Sequence, residues 1–203
     1  QLAGSSTSSL LWGSEADVAV LAAAVATLHA ASVLIPPRLA LFRSLEHSKR
    51  ADWHGRVVGS VYASLIVAVA LAELIYPGAD LLTDSTFGAS ARSSFACTLT
   101  AAYFVWDTIF CAVTGQGVAL VLHGLIAFVV FVCTLQPFQQ HASMVFLLQE
   151  ASTPLLNLRQ QLLACDLAHS RTFAVANIGF AVTFLVVRWF VMFPFTLLWY
   201  AEN

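Results

Sequence analysis

Apolar residues run in blocks of roughly twenty, separated by short polar or Pro/Gly-marked breaks. Blocks of that length suit membrane-crossing helices; barrel strands would be about ten residues long and alternate in polarity. The pattern predicts helices over residues 18–35, 55–76, 91–113, 117–135, 141–163 and 172–200. Pro36-Pro37, Pro77-Gly78, Thr114-Gly115-Gln116-Gly117 and the Gln-rich stretch around Pro137 stop them in turn. Asp17 is placed to cap the first helix. The connector 38–56 is polar, and its centre, 39–47, fits a short interfacial helix. The fifth helix is the least lipid-like, with Gln149, Glu150, Ser152, Thr153, Asn157 and Arg159, and Pro154 should kink or divide it. So polar a segment needs shelter from protein or water. The sixth is longer than a bilayer requires and is expected to tilt, or to bend at Pro194.

The expected fold class is therefore all-α, a polytopic membrane bundle of about six transmembrane helices. Residues 1–17 read as a flexible N-terminal segment, 18–50 as a first helix with its basic connector, and 51–200 as the main transmembrane domain. Composition agrees: 59% of residues are hydrophobic and 10% charged, where a soluble domain carries about 25%. Mean hydropathy is +0.81. The net charge of -2 says nothing about partners, and no basic run is long enough to suggest nucleic acid; membrane lipids are the expected partners. Most Lys and Arg fall in connector 38–56 and around 159–171, so the positive-inside rule puts those segments and turn 114–117 on the cytoplasmic side. Cys97, Cys111, Cys133 and Cys165 show no metal-ligand spacing and read as small buried hydrophobes without a disulfide.

Ionisable groups within the apolar blocks carry the candidate chemistry. Asp107 lies eight residues before Gly115 and His123 eight after it. At about 1.5 Å per residue both stand roughly 12 Å from the turn, on neighbouring helices. Glu150 reaches a similar depth from the fifth helix. His29 falls just below this layer, and Asn157 and Arg159 approach its cytoplasmic mouth. Two interpretations stand: a satisfied network that pins helices, or a polar cavity open to a lipid headgroup or a reacting acyl chain. A carboxylate beside an imidazole can perform general acid/base chemistry. No HxxxH or ExxH spacing accompanies the layer, so no metal is expected. Trp106 is either packing or a cavity wall. Glu73 and Arg188 have similar depths near the other end, which permits an ion pair between the second and sixth helices; the alternative is that Arg188 snorkels to the interface.

Four stretches, in order, carry a family resemblance: Ala51-Asp52-Trp53-His54-Gly55-Arg56 with Val57 and Ser60, Tyr103-Phe104-Val105-Trp106-Asp107, Val121-Leu122-His123-Gly124, and Glu150-Ala151-Ser152-Thr153-Pro154-Leu155-Leu156-Asn157-Leu158-Arg159. Together they resemble the TLC-domain family, which includes ceramide synthases and translocating-chain-associated membrane proteins, and the last stretch is most similar to its small, less characterised branch. The resemblance implies a compact helical barrel in the endoplasmic reticulum or another endomembrane, acting on or sensing lipids. Ceramide-synthase-like members join an acyl chain from acyl-CoA to a sphingoid amine, using two adjacent His residues and acidic residues. Asp107 and His123 carry over as the catalytic pair in that case, but Gly124 stands where a second His would follow. The expectation is a protein of lipid homeostasis that binds, senses or moves a lipid, without a cofactor. The alternatives are a lipid N-acyltransferase with acyl-CoA as substrate, or a structural subunit with membrane-protein partners.

Overall fold

The computed structural model describes residues 14–34 and 40–202, and no strand occurs among them. Residues 1–13 of the expected N-terminal segment, the Pro36-Pro37 stop and Arg38 lie outside the described residues. α1 spans Glu15–Leu34. Ser14 and Asp17 cap it reciprocally: the Asp17 amide donates to Ser14 Oγ (3.1 Å), and Ser14 donates from its amide (3.0 Å) and hydroxyl (2.7 Å) to Asp17 Oδ2. The cap is thus Ser14, with Asp17 answering it three residues on, and the helix begins inside the expected N-terminal segment.

α2 (Ala40–Ser44) is the short helix expected in the connector. α3 (His47–Ile75) starts eight residues before the expected Gly55. Hydropathy marks where lipid ends, not where a helix must end. The polar first turns are held by an Arg56–Asp52 ion pair (2.6 Å) and by Arg50 Nε donating to Leu45 O (2.8 Å). α4 (Ala79–Thr83) lies in the loop before α5 (Ala91–Thr114). α6 is Val118–Cys133. The α5–α6 turn takes positive φ at Gly115 (67°) and Gly117 (102°), a conformation that side chains resist. The fifth expected helix is divided, as Pro154 demands: α7 (Gln140–Leu147), a tight 3₁₀ stretch (Leu148–Ser152) and α8 (Thr153–Ala164). The sixth comprises α9 (Arg171–Leu185), wide π turns (Val186–Met192) and α10 (Phe193–Glu202). These wide turns precede Pro194, which has no amide to donate. α1, α3, α5 and the run from α9 to α10 are long and apolar enough to cross a membrane; α6 is shorter, at 16 residues.

α3 and α5 form the centre. Ala63, Ile66 and Ala70 meet Ala96, Cys97 and Ala101 with no exposed surface. Small side chains let the backbones approach closely, which is how helices gain packing energy in lipid. Both basic connectors meet at one end, where Phe42 and Leu45 pack with Cys165, Trp53 and Leu167. At the opposite end the Gln139 amide donates to Thr86 O (2.6 Å), and Phe87 packs on Phe138.

Buried polar side chains tie the helices. Gln140, fully buried, accepts from Ser93 Oγ (2.6 Å) and Ser94 Oγ (3.2 Å) and donates to Thr134 O (3.0 Å), joining α5, the end of α6 and α7. Glu73 does not pair with Arg188. Its Oε2 accepts from Arg92 Nε (2.6 Å) and its Oε1 from the Gly78 amide (2.9 Å), while Arg92 also donates to Tyr76 O. Arg92 opens the helix that packs directly on α3 and so reaches Glu73 first. Arg188 donates instead to Gln149 Oε1 (2.6 Å) and lies over the Phe184 ring (4.3 Å). The closure is therefore between α3 and α5, not between α3 and the last helix.

Gln140→Leu leaves Thr134 O without its donor and is expected to lower stability by about 1–3 kcal/mol, read as a lower thermal midpoint in detergent. A double-mutant cycle should give a coupling of about 0.5 kcal/mol or more for Glu73 with Arg92, and none for Glu73 with Arg188.

Candidate functional site

The layer expected from sequence separates into two groups on different sides of α5. Asp107, His123 and Glu150 form the first. Asp107 Oδ2 lies 3.4 Å from where a Cβ on Gly124 would sit, so the carboxylate rests against α6 beside His123. His123 lies within electrostatic reach of both Asp107 and Glu150, and Glu150 within reach of Asp107. Glu150 sits in the 3₁₀ stretch ahead of Pro154, where its Oε2 accepts from Thr153 Oγ1 (2.7 Å). The tight turn thus aims the carboxylate while Pro154 starts the next helix. Arg188 also acts on Glu150, so the residue expected to close the bundle belongs to this neighbourhood.

Tyr103 and Tyr62 form the floor. Their rings stack 3.7 Å apart and 3° from parallel, both are buried, and Tyr62 Oη donates to Thr100 Oγ1 (3.0 Å). The Asp107 and Glu150 charges act on both phenols. Sequence reasoning missed this pair, although Tyr103 stands one helical turn before Asp107 in the aromatic motif.

His123 is exposed, with its ring edge-on to Phe104 at 5.9 Å. The layer is therefore open on the α6 side rather than enclosed by protein. The cause is packing: α5 is the principal neighbour of α6. Val130, two turns beyond His123, shares its face of α6. There an apolar cavity of about 430 Å³ opens between α6 and α10, lined by Val130, Cys133, Phe146, Phe195 and Trp199 among others.

The other expected residues lie elsewhere. His29 and Trp106 turn to the α1 side of α5, with ring centroids 5.4 Å apart. Asn157 is buried and donates from Nδ2 to Arg56 O (3.2 Å) and Ser60 Oγ (3.1 Å), clamping α8 to α3. Arg159 points to α9, donating to Asn177 Oδ1 (2.7 Å) and covering the Phe173 ring (5.6 Å). Asn157 and Arg159 thus join helices and do not meet the Asp107–His123–Glu150 group. Among the described residues no three His, Cys, Asp or Glu are placed to hold a metal ion.

An all-helical polytopic membrane bundle with an acid–imidazole layer is the class these features define. A family model of the TLC domain matches residues 52–203, and the chain belongs to the TLC-domain family. It is similar to an uncharacterized TLC domain-containing protein of Schizosaccharomyces pombe, 29% identical over 149 residues, covering 72% of this chain and 51% of that protein. A second relative, an uncharacterized TLC domain-containing protein of Saccharomyces cerevisiae, is 41% identical over 63 residues, covering 31% of this chain and 20% of that protein. The matched regions thus span about half the first relative's length and a fifth of the second's. No solved structure is recognisably similar to the chain.

Gly124 seats α6 on α5: a Cβ there would meet Thr108 Oγ1 at 2.5 Å and Thr108 Cα at 3.4 Å. Gly124→Ala is expected to lower stability by about 1–3 kcal/mol through overpacking. Adding Thr108→Ala should recover part of the loss, measured by thermal unfolding in detergent.

Proposed function

We propose that this chain binds a membrane lipid in the flank between α6 and the α9–α10 helix, and through it senses or moves that lipid in an endomembrane such as the endoplasmic reticulum. The observation that carries this is the opening of the Asp107–His123–Glu150 group onto the face of α6 that also lines the apolar cavity beside α10. One ligand with a polar head and hydrocarbon chains would satisfy both. Carboxylates and an imidazole accept and donate hydrogen bonds to hydroxyl, amide or amine groups, while the cavity takes the chains. Ionisable groups at membrane depth mark substrate paths more often than inert packing, and the family supplies the lipid context.

Acyl transfer of the ceramide-synthase type is the weaker interpretation. A side chain at position 124 would collide with Thr108, which leaves no room for a second adjacent imidazole. The proposed role is therefore binding, with His123 and Asp107 as ligand-contacting groups.

The test is native mass spectrometry of the full chain released from nanodiscs made of a total endomembrane lipid extract. A lipid adduct retained by the unaltered protein should fall at least fivefold in Asp107→Asn and in Glu150→Gln, and persist in the exposed loop variant Asp80→Asn. Equal adducts in all four proteins would refute lipid binding at this layer.

A further inference from the structure

A second pocket, on the opposite side of α5 from His123, is not used by the proposed lipid flank. It measures about 590 Å³ and lies between α1, the first turns of α3 and the last turns of α5. His29, His47, Arg50 and His54 line it, with Trp106 and Phe110 as apolar wall, and no Asp or Glu is among its described lining residues. Four cationic or imidazole side chains around one space, without a carboxylate, form an environment for an anion.

One of these groups lacks a partner where partners are normally found. His29 Nδ1 is buried and makes no hydrogen bond. His54 is 6% exposed, and its ring is held edge-on to Phe42 at 5.3 Å. Buried polar atoms are almost always paired, so an unsatisfied one facing a cavity marks a place where something else supplies the partner. His29 and His54 both line this cavity, so both rings address the same space. Arg50 is fixed there by bonds from its guanidinium to Leu45 O and Arg43 O and by the Phe42 ring.

Composition and location narrow the ligand. The imidazoles are not placed to share a metal ion. Several separated donors around one space suit a group with several acceptor oxygens, as a phosphate has. The pocket sits at the end of the bundle that carries the basic connector, and its walls Val33, Ile109 and Val113 are exposed apolar surface. The geometry points to a phosphate-binding site formed by His29, His47, Arg50 and His54, suited to the phosphate of a lipid headgroup whose chains lie along Val33, Ile109 and Val113.

The test measures binding of dioctanoyl phosphatidate, dioctanoylglycerol and inorganic phosphate to the full chain in dodecyl maltoside micelles, which carry no phosphate, by calorimetry. Dioctanoyl phosphatidate should bind at least tenfold more tightly than dioctanoylglycerol, which lacks only the phosphate. Arg50→Gln and His54→Gln should each weaken it at least tenfold. His47→Ala, on an exposed first turn that does not support the core, should weaken it at least threefold with the thermal midpoint unchanged. If His54→Gln fails to fold, His47→Ala and Arg50→Gln decide. Inorganic phosphate that binds as tightly as phosphatidate, with the same dependence on these variants, identifies a soluble phosphate ligand for the same site. Equal binding of dioctanoylglycerol and phosphatidate, or undiminished phosphatidate binding in the folded variants, overturns the site. None of these substitutions touches Asp107, His123 or Glu150, so failure here is separable from failure of the lipid flank.

Discussion

Hydrocarbon contains no water to satisfy a stray donor or acceptor, and that single constraint orders this molecule. The central contact between α3 and α5 obeys it twice. Alanines bring the two backbones together. The hydroxyls of Thr98 and Thr100 turn back onto carbonyls within their own helix, so polar atoms can line the tightest interface without being orphaned. Around this pair the other helices are attached by polar clamps at chosen depths: Gln140 at one end, Asn157 toward the other, and Glu73 where the chain leaves α3.

The same constraint separates architecture from site. Gln140, Glu73, Asn157 and Arg159 have their hydrogen-bonding groups engaged by neighbouring helices, and each explains a contact between elements. His123 has a ring contact to Phe104 and an open side, and His29 keeps a buried nitrogen without a partner. Polar groups left incomplete in a bundle that completes the others are the places where a ligand has something to add. The two breaks in helical regularity follow the same logic: the tight turn before Pro154 aims Glu150, and the wide turns before Pro194 place Arg188 against Gln149.

Much of this was legible in the sequence. The apolar blocks gave the helix order, Pro154 gave the division of the fifth block, and equal spacing about Gly115 placed Asp107 and His123 at one level on adjacent helices. Depth is what such counting measures; azimuth is not. Glu73 and Arg188 share a depth in that count, yet Arg92 is the neighbour that faces Glu73. Trp106 shares the level of Asp107 and His29 lies just below it, yet one step along α5 rotates Trp106 by about 100° to another side of the helix. The start of α3 was misplaced because charged residues end a hydrophobic block without ending a helix. The stacked Tyr62–Tyr103 floor depends on a contact between residues distant in sequence, which no local pattern encodes.

The brevity of α6 has a consequence for the bilayer itself. Sixteen residues rise about 24 Å, several ångströms less than a hydrocarbon core of about 30 Å. Where the outer face of α6 is exposed to acyl chains, such a mismatch would fall on the lipid: the leaflets would dimple beside α6, or the helix would draw its flanking polar residues inward. A membrane that is already thin incurs less of this deformation than a thick, sterol-rich one. The length of one helix is thus a feature through which bilayer thickness would act on this fold.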